Sequence, residues 1–248
     1  MNKTTYIIIG IVLFVLITSR KIKTEDNIEP ADLMSKDENI KFINQRMKDW
    51  GITSRSARIG ILAVIGKESG YIPKWEDNYD GTSNSRIRIF HSETKSLTDA
   101  ELNTLKKNPY NFWNFVYNGE TGNVRGTDDG YKYRGSGLNQ LTGRGNYLDM
   151  KNKTGFDLIN HPELNNTLPV AIETLLHYMQ GGWSSSRGKA KLQAKGYNRI
   201  NDITDTDFAV RYFCNINAGL GNDINGEKVS NAVKNAKPYQ KSLEKLIL

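Results

Sequence analysis

Cysteine is nearly absent from this 248-residue chain: Cys214 is the only one. One thiol cannot close an internal disulfide, so the fold does not depend on that staple. Cys214 ends the apolar-rich run Phe208–Cys214, which predicts a buried structural thiol. A nucleophilic role needs a basic partner, and no motif ties the thiol to His91, His161 or His177. No metal-binding motif and no internal repeat is present. No phosphate-binding loop is present either: Gly135-Ser136-Gly137 is followed by Gln140 where a dinucleotide fingerprint would have its third glycine. No metal is therefore expected.

Long uncharged runs are also scarce, and the exception lies at the N-terminus. Lys3 and Arg20 bracket sixteen uncharged residues, Thr4 to Ser19, almost wholly aliphatic from Tyr6 to Ile17. As a helix they would span about 24 Å at ~1.5 Å per residue. That is short for a hydrocarbon core of about 30 Å, but the flanking Lys and Arg can snorkel. A cleaved signal peptide has the same layout. Arg20, Lys21 and Lys23 follow without a small-residue cleavage site, and no cysteine follows for a lipid. Residues 1–20 are expected to be a retained membrane anchor, residues 21–36 a polar linker, and residues 37–248 a folded monomeric domain; both flanks of the anchor are positive, so charge does not set its orientation.

Hydrophobic residues are 38% and charged residues 25%, an ordinary globular balance. The net charge is +7, of which +6 lies beyond residue 36. Between Gly181 and Asn201 stand Arg187, Lys189, Lys191, Lys195 and Arg199, with no acid. Such a face suits a polyanion, whether nucleic acid, anionic lipid or anionic wall polymer, and the bland alternative is a merely solvated loop. It has Trp183 and Tyr197 but no nucleic-acid-binding motif, so nucleic acid is not the expected partner.

The folded part reads as helical. Ile40, Ile43, Met47 and Trp50 form a stripe stopped by Gly51. Thr53 can cap a helix running to about Ser69, apolar nearly all round and so central. Thr98-Asp99-Ala100-Glu101 is a capping box for a short helix that Pro109 should close. Between Asn118 and Gly145 the periodicity fades into glycine, which predicts turns and a small β-element. Pro169 opens another helix, with Gly181-Gly182 as its stop. Asp207–Asn215 and Val229–Leu248 are the last two.

Two carboxylates suggest acid–base chemistry. Glu68 falls on the stripe Ala57, Ile61, Val64, Ile65 of the central helix. Loss of solvation there would raise its pKa, as a general acid requires. The bland alternative is a glutamate paired with Lys67. Glu76 follows beyond a short turn, close enough in sequence to face the same cleft, with Asp77, Asp80 and Glu93 as rivals. An inverting glycosidase holds its two carboxyls about 6.5–9.5 Å apart, leaving room for water. The third feature is Tyr133-Arg134-Gly135-Ser136-Gly137-Leu138-Asn139-Gln140-Leu141-Thr142-Gly143-Arg144-Gly145-Asn146-Tyr147. Its glycines bring backbone near a ligand, with amides and hydroxyls alongside, which suits sugar.

That segment resembles the Y-R-G-R-G-L-I-Q-L-T-G-R-x-N-Y signature of glycoside hydrolase family 19. Phe115–Asn123 resembles the V-Y-G-G-R-M-G-N block of the family's phage endolysins. Lys67-Glu68-Ser69-Gly70 resembles H-E-[ST]-G, Glu76-Asp77-Asn78-Tyr79 a compressed E-N-L-N-Y, and Ile216–Leu220 the block I-N-G-G-L. The resemblance covers roughly Ile40 to Leu248. It implies a mainly α, lysozyme-like fold of two lobes around a central cleft, and inverting hydrolysis of β-1,4 bonds to N-acetylated amino sugars without a cofactor. It puts the general acid on Glu68 and the base on Glu76, with Glu93 as the base in a plant-chitinase arrangement. It gives Thr142 a hold on the catalytic water, and Gln140, Asn146, Tyr133 and Asn217 contacts to sugar. Lys67 stands where the family has histidine, and Ser136 where the signature has its second arginine. The short Glu68–Glu76 spacing, the Val116-Tyr117-Asn118-Gly119 block and the basic surface favour peptidoglycan over chitin as substrate. A membrane-tethered glycan-binding protein without catalysis is the reading from another class.

Overall fold

The computed structural model describes residues 35–247, and the expected anchor and nearly all of the linker lie outside them. The described residues form eleven α-helices. These are α1 (Lys36–Asp49), α2 (Arg55–Ser69), α3 (Asn84–Phe90), α4 (Asp99–Lys106), α5 (Pro109–Val116), α6 (Asp129–Lys132), α7 (Arg144–Thr154), α8 (Leu168–Trp183), α9 (Ser186–Gln193), α10 (Thr206–Asn217) and α11 (Glu227–Leu246). The architecture is mainly α, as a lysozyme-like fold requires. Among the described residues the expected β-element is reduced to one bridge between Ser136 and Leu141. No described helix is long and apolar enough to cross a membrane.

Helix α2 is central because it is apolar on every side: Ile59 through Ile65 are fully buried. Helices α10 and α11 pack along it, and α1 and α8 complete the principal core. Its N-cap is Ser54, not Thr53: the Ser54 hydroxyl accepts from the Ala57 N–H at 3.0 Å. Gly70 ends it in the left-handed conformation, φ 62°. Cys214 is buried on α10, and burial pushes its thiol up to about 11.

Two smaller cores support the loops. One gathers Tyr133, Leu141, Tyr147, Met150, Leu158 and Val170. The other gathers Ile87, Leu102, Phe112, Trp113 and Val116.

Three further features differ from expectation. Pro109 does not close α4, which ends at Lys106; it occupies the first turn of α5, where a missing N–H leaves no bond unmade. Gly181-Gly182 does not stop α8, which continues to Trp183. A Cβ on Gly182 would meet Ile216 of α10 at 2.4 Å, so that glycine serves close helix packing. The basic run is not a loop throughout: Ser185 caps α9, accepting from the Gly188 N–H at 3.0 Å.

Candidate active site

Glu68 stands in the last turn of α2 and is half-buried. Its Oε1 accepts from the Asn217 amide at 2.7 Å and is also paired with the Lys67 ammonium. The bland expectation for Glu68, a bond to Lys67, is thus present, and Asn217, expected to contact sugar, is bonded to Glu68 instead.

Glu76 lies in the segment after α2, and two chain regions hold it. Its N–H donates to the Gly135 carbonyl at 2.7 Å, and the Gly135 N–H donates back to Glu76 Oε2 at 3.2 Å. The Tyr117 hydroxyl lies 3.2 Å from Oε1 and 3.0 Å from Oε2. Burial pushes the Glu76 carboxyl above its ordinary value. The Tyr117 hydroxyl, the Gly135 N–H and the Arg134 charge pull the other way, and Asp77 adds to the rise. Arg134 is itself fixed: its guanidinium lies 4.1 Å from the Trp75 ring centroid and 4.0 Å from that of Tyr131, with Nη1 donating to the Tyr131 carbonyl at 2.7 Å. A cation between two aromatic faces is a stable clamp, and here it fastens the Glu76 segment to the loop bearing the signature.

That loop is anchored by a buried polar chain. Thr174 of α8 donates to Asn165 at 2.6 Å, and Asn165 donates to the Ser136 hydroxyl at 2.8 Å. Ser136 pairs with the Tyr147 hydroxyl, which donates to the Arg134 carbonyl at 3.0 Å. Ser136, Asn165 and Thr174 are fully buried with partners, so nothing in the chain is left costly and unpaired. The position that holds arginine in the signature has no room for one here.

The predicted sugar contacts are tied to protein partners. Gln140, at φ 54°, donates its amide to the Lys74 carbonyl at 3.1 Å and so joins the loop to the Glu76 segment. The Thr142 hydroxyl donates to the Gln140 carbonyl at 2.9 Å, and the Asn146 amide donates to the Thr142 carbonyl at 2.8 Å. Tyr133 is 2% exposed and its hydroxyl donates to the Ile159 carbonyl at 3.0 Å. It supports the loop from behind. Of the rival carboxylates, Glu93 is exposed and accepts from the Ser92 hydroxyl at 3.1 Å, and Asp77 is exposed and paired with Lys74 at 2.6 Å.

Sequence reasoning missed Tyr117 and Arg134 as partners of Glu76, and Trp75 as a ring that holds Arg134. The Phe115–Asn123 block was the available signal, but it lies about forty residues from Glu76 and carries no role for Tyr117. The basic run also turned out to be differentiated. Arg187, Lys189 and Lys195 are exposed, and Arg199 pairs with Asp202 at 2.9 Å. Lys191 donates to the Asn222 carbonyl at 3.0 Å. Asn222 in turn donates to the Ala218 and Gly219 carbonyls, so Lys191 braces the turn that follows Asn217.

No protein-family model matches the chain. Over 137 residues it is 26% identical to a curated Haemophilus influenzae protein named glycosyl hydrolase family 19 domain-containing protein. The match covers 55% of this chain and 67% of that protein. This distant similarity points to glycoside hydrolase activity.

Proposed function

We propose that the chain is a peptidoglycan hydrolase that cuts β-1,4 glycosidic bonds of the bacterial cell wall with inversion. The observation that carries this is how the sequence blocks pair. The Glu68 block is bonded to the Asn217 block, and the Glu76 block to both the Tyr117 block and the Gly135 loop. In the proposed reaction Glu68 protonates the leaving oxygen while Glu76 takes a proton from the attacking water. The Thr142 hydroxyl, having donated its proton to Gln140, still has lone pairs to accept from that water. Gln140, Asn146 and Asn217 lie on the same segments and are assigned to sugar, with Tyr133 behind them.

A base must be ionised, and burial pushes Glu76 up, so the base is lost at a higher pH than it would be for a freely solvated glutamate. The Lys67 ammonium must swing away for Glu68 to carry and give a proton. The short Glu68–Glu76 spacing and the exposed cations of α9 support an anionic wall polymer over chitin. Tethering through residues 1–20 belongs to the same proposal. A full-length protein that stays with membranes after a high-salt wash, with its intact mass unshortened, agrees with it.

The test is digestion of purified peptidoglycan and of chitin by the full-length chain, with mass spectrometry of the new reducing ends. Release of muropeptide glycans is the expected result. Release from chitin alone replaces the substrate. Binding without cleavage of either favours the glycan-binding protein, the reading that the Lys67–Glu68 pair supports.

A further inference from the structure

The geometry points to Tyr117 as a positioning residue that holds Glu76 in its base form. This rests on the reading of Glu76 as the base. Tyr117 is the residue just past α5, and its ring stacks on Trp113 at 5.4 Å between centroids and 9° between planes. It also meets the edge of buried His91 at 6.2 Å. The ring is therefore fixed by the aromatic core of α3–α5, to which Tyr79 of the Glu76 segment also contributes. From that footing the hydroxyl sits 3.2 and 3.0 Å from the two carboxylate oxygens.

A phenol has one proton, so it serves one oxygen at a time, and it serves an ionised carboxylate better than a neutral carboxyl. The Gly135 N–H is a second donor, on Oε2. Two donors converge on a carboxyl whose pKa burial raises, and both oppose that rise. The contact thus favours the ionised form and fixes the rotamer together.

The charged and titratable groups around the pair come from each neighbouring segment. Arg134 faces Glu76 from the signature loop, and Tyr147 from α7; Asp77 and Tyr79 are on its own segment. Glu93 and His91 flank Tyr117. Burial keeps the His91 imidazole below its ordinary value, so its titration falls on the acid side too. A direct readout of Glu76 is needed to separate the two.

The experiment compares the full-length wild type with Tyr117→Phe, which keeps the ring stack and removes only the hydroxyl. The pH profile of kcat/KM on a soluble glycan fragment should keep its alkaline side. On the acid side activity should fall by about tenfold or more, the size of one hydrogen bond to a charged group. The Glu76 carboxyl 13C resonance, assigned by its loss in Glu76→Gln, should titrate at higher pH in Tyr117→Phe. A loss of activity equal at all pH values, with the Glu76 resonance titrating as in wild type, overturns the inference and leaves Tyr117 a packing residue. If the resonance moves as expected while neither protein cleaves any glycan, the cradle stands and the reading of Glu76 as a base fails.

Discussion

One added methyl group probes the site with little chemical disturbance. In Gly135→Ala an ideal Cβ would stand 3.0 Å from Glu76 Oε2, 3.0 Å from Gln140 Oε1 and 3.2 Å from Glu76 Cβ. Ordinary contact begins at 3.4 Å, so each neighbour must retreat by a few tenths of an ångström. The Glu76 N–H is pinned to the Gly135 carbonyl at 2.7 Å, so the segment cannot withdraw as a unit. The Glu76 side chain must rotate instead. Its bond from the Gly135 N–H, already 3.2 Å, then passes out of range, and the contact with Tyr117 lengthens with it. Overpacking of this kind costs about 1–3 kcal/mol, which for a domain of this size lowers the melting temperature by roughly 2–12 °C. Catalysis should suffer more: misplacing a reacting group by about 1 Å can cost ~10²-fold, so a shift of a few tenths should cost about tenfold. The assay is kcat/KM on a soluble glycan beside calorimetric unfolding. A folded Gly135→Ala enzyme within about twofold of wild type refutes the placement of Glu76 in the reaction.

The remaining outcomes follow from the same geometry. Because burial holds the Glu76 carboxyl above its ordinary value and the base acts ionised, activity is present above that raised value and lost as pH falls through it. The acid limb of the wild-type profile should therefore lie above the range of a free glutamate, and a limb at or below that range contradicts the base role. Glu93→Gln should change turnover by less than about twofold, since a positioned base supplies ~10²–10⁴-fold and Glu93 is exposed; a large loss would transfer the base to Glu93. Replacing Arg187, Lys189 and Lys195 by Gln, with Lys191 left to brace its turn, should weaken binding to whole walls at low salt and spare cleavage of a short glycan. Salt should erase the difference, because screening at about 0.15 M acts over roughly 8 Å. Equal loss on the short glycan would put those cations in the active site.

Helix α2 was legible because a helix apolar on all sides has one place to go, and Thr98–Glu101 because a capping box is local chemistry. What failed was punctuation whose meaning depends on tertiary contact. Pro109 suits the end of one helix or the start of the next, and Asn108, accepting from the Asn111 N–H at 3.2 Å, makes it a start. Gly182 reads as a stop until Ile216 is seen against it. The site divides along the same line. Glu68 and Glu76 stand out as carboxylates in a pattern, and the signature loop as a run of glycine and amides. The Tyr117 hydroxyl and the Arg134 clamp join residues tens of positions apart, and no periodicity records such a pair. Ser136 looks like a departure from a motif in sequence and is a fully buried link in a polar chain in space.

The central claim is that two glutamates of this chain cleave wall glycan. Its most direct test is digestion of purified peptidoglycan by wild type, Glu68→Gln and Glu76→Gln, with mass spectrometry of the reducing ends and NMR of the fresh anomer. The account predicts glycan fragments of inverted anomeric configuration from wild type, and at least ~10²-fold less from either folded variant. Cleavage at near wild-type rate by either variant, or no glycan cleavage by the wild type, contradicts it.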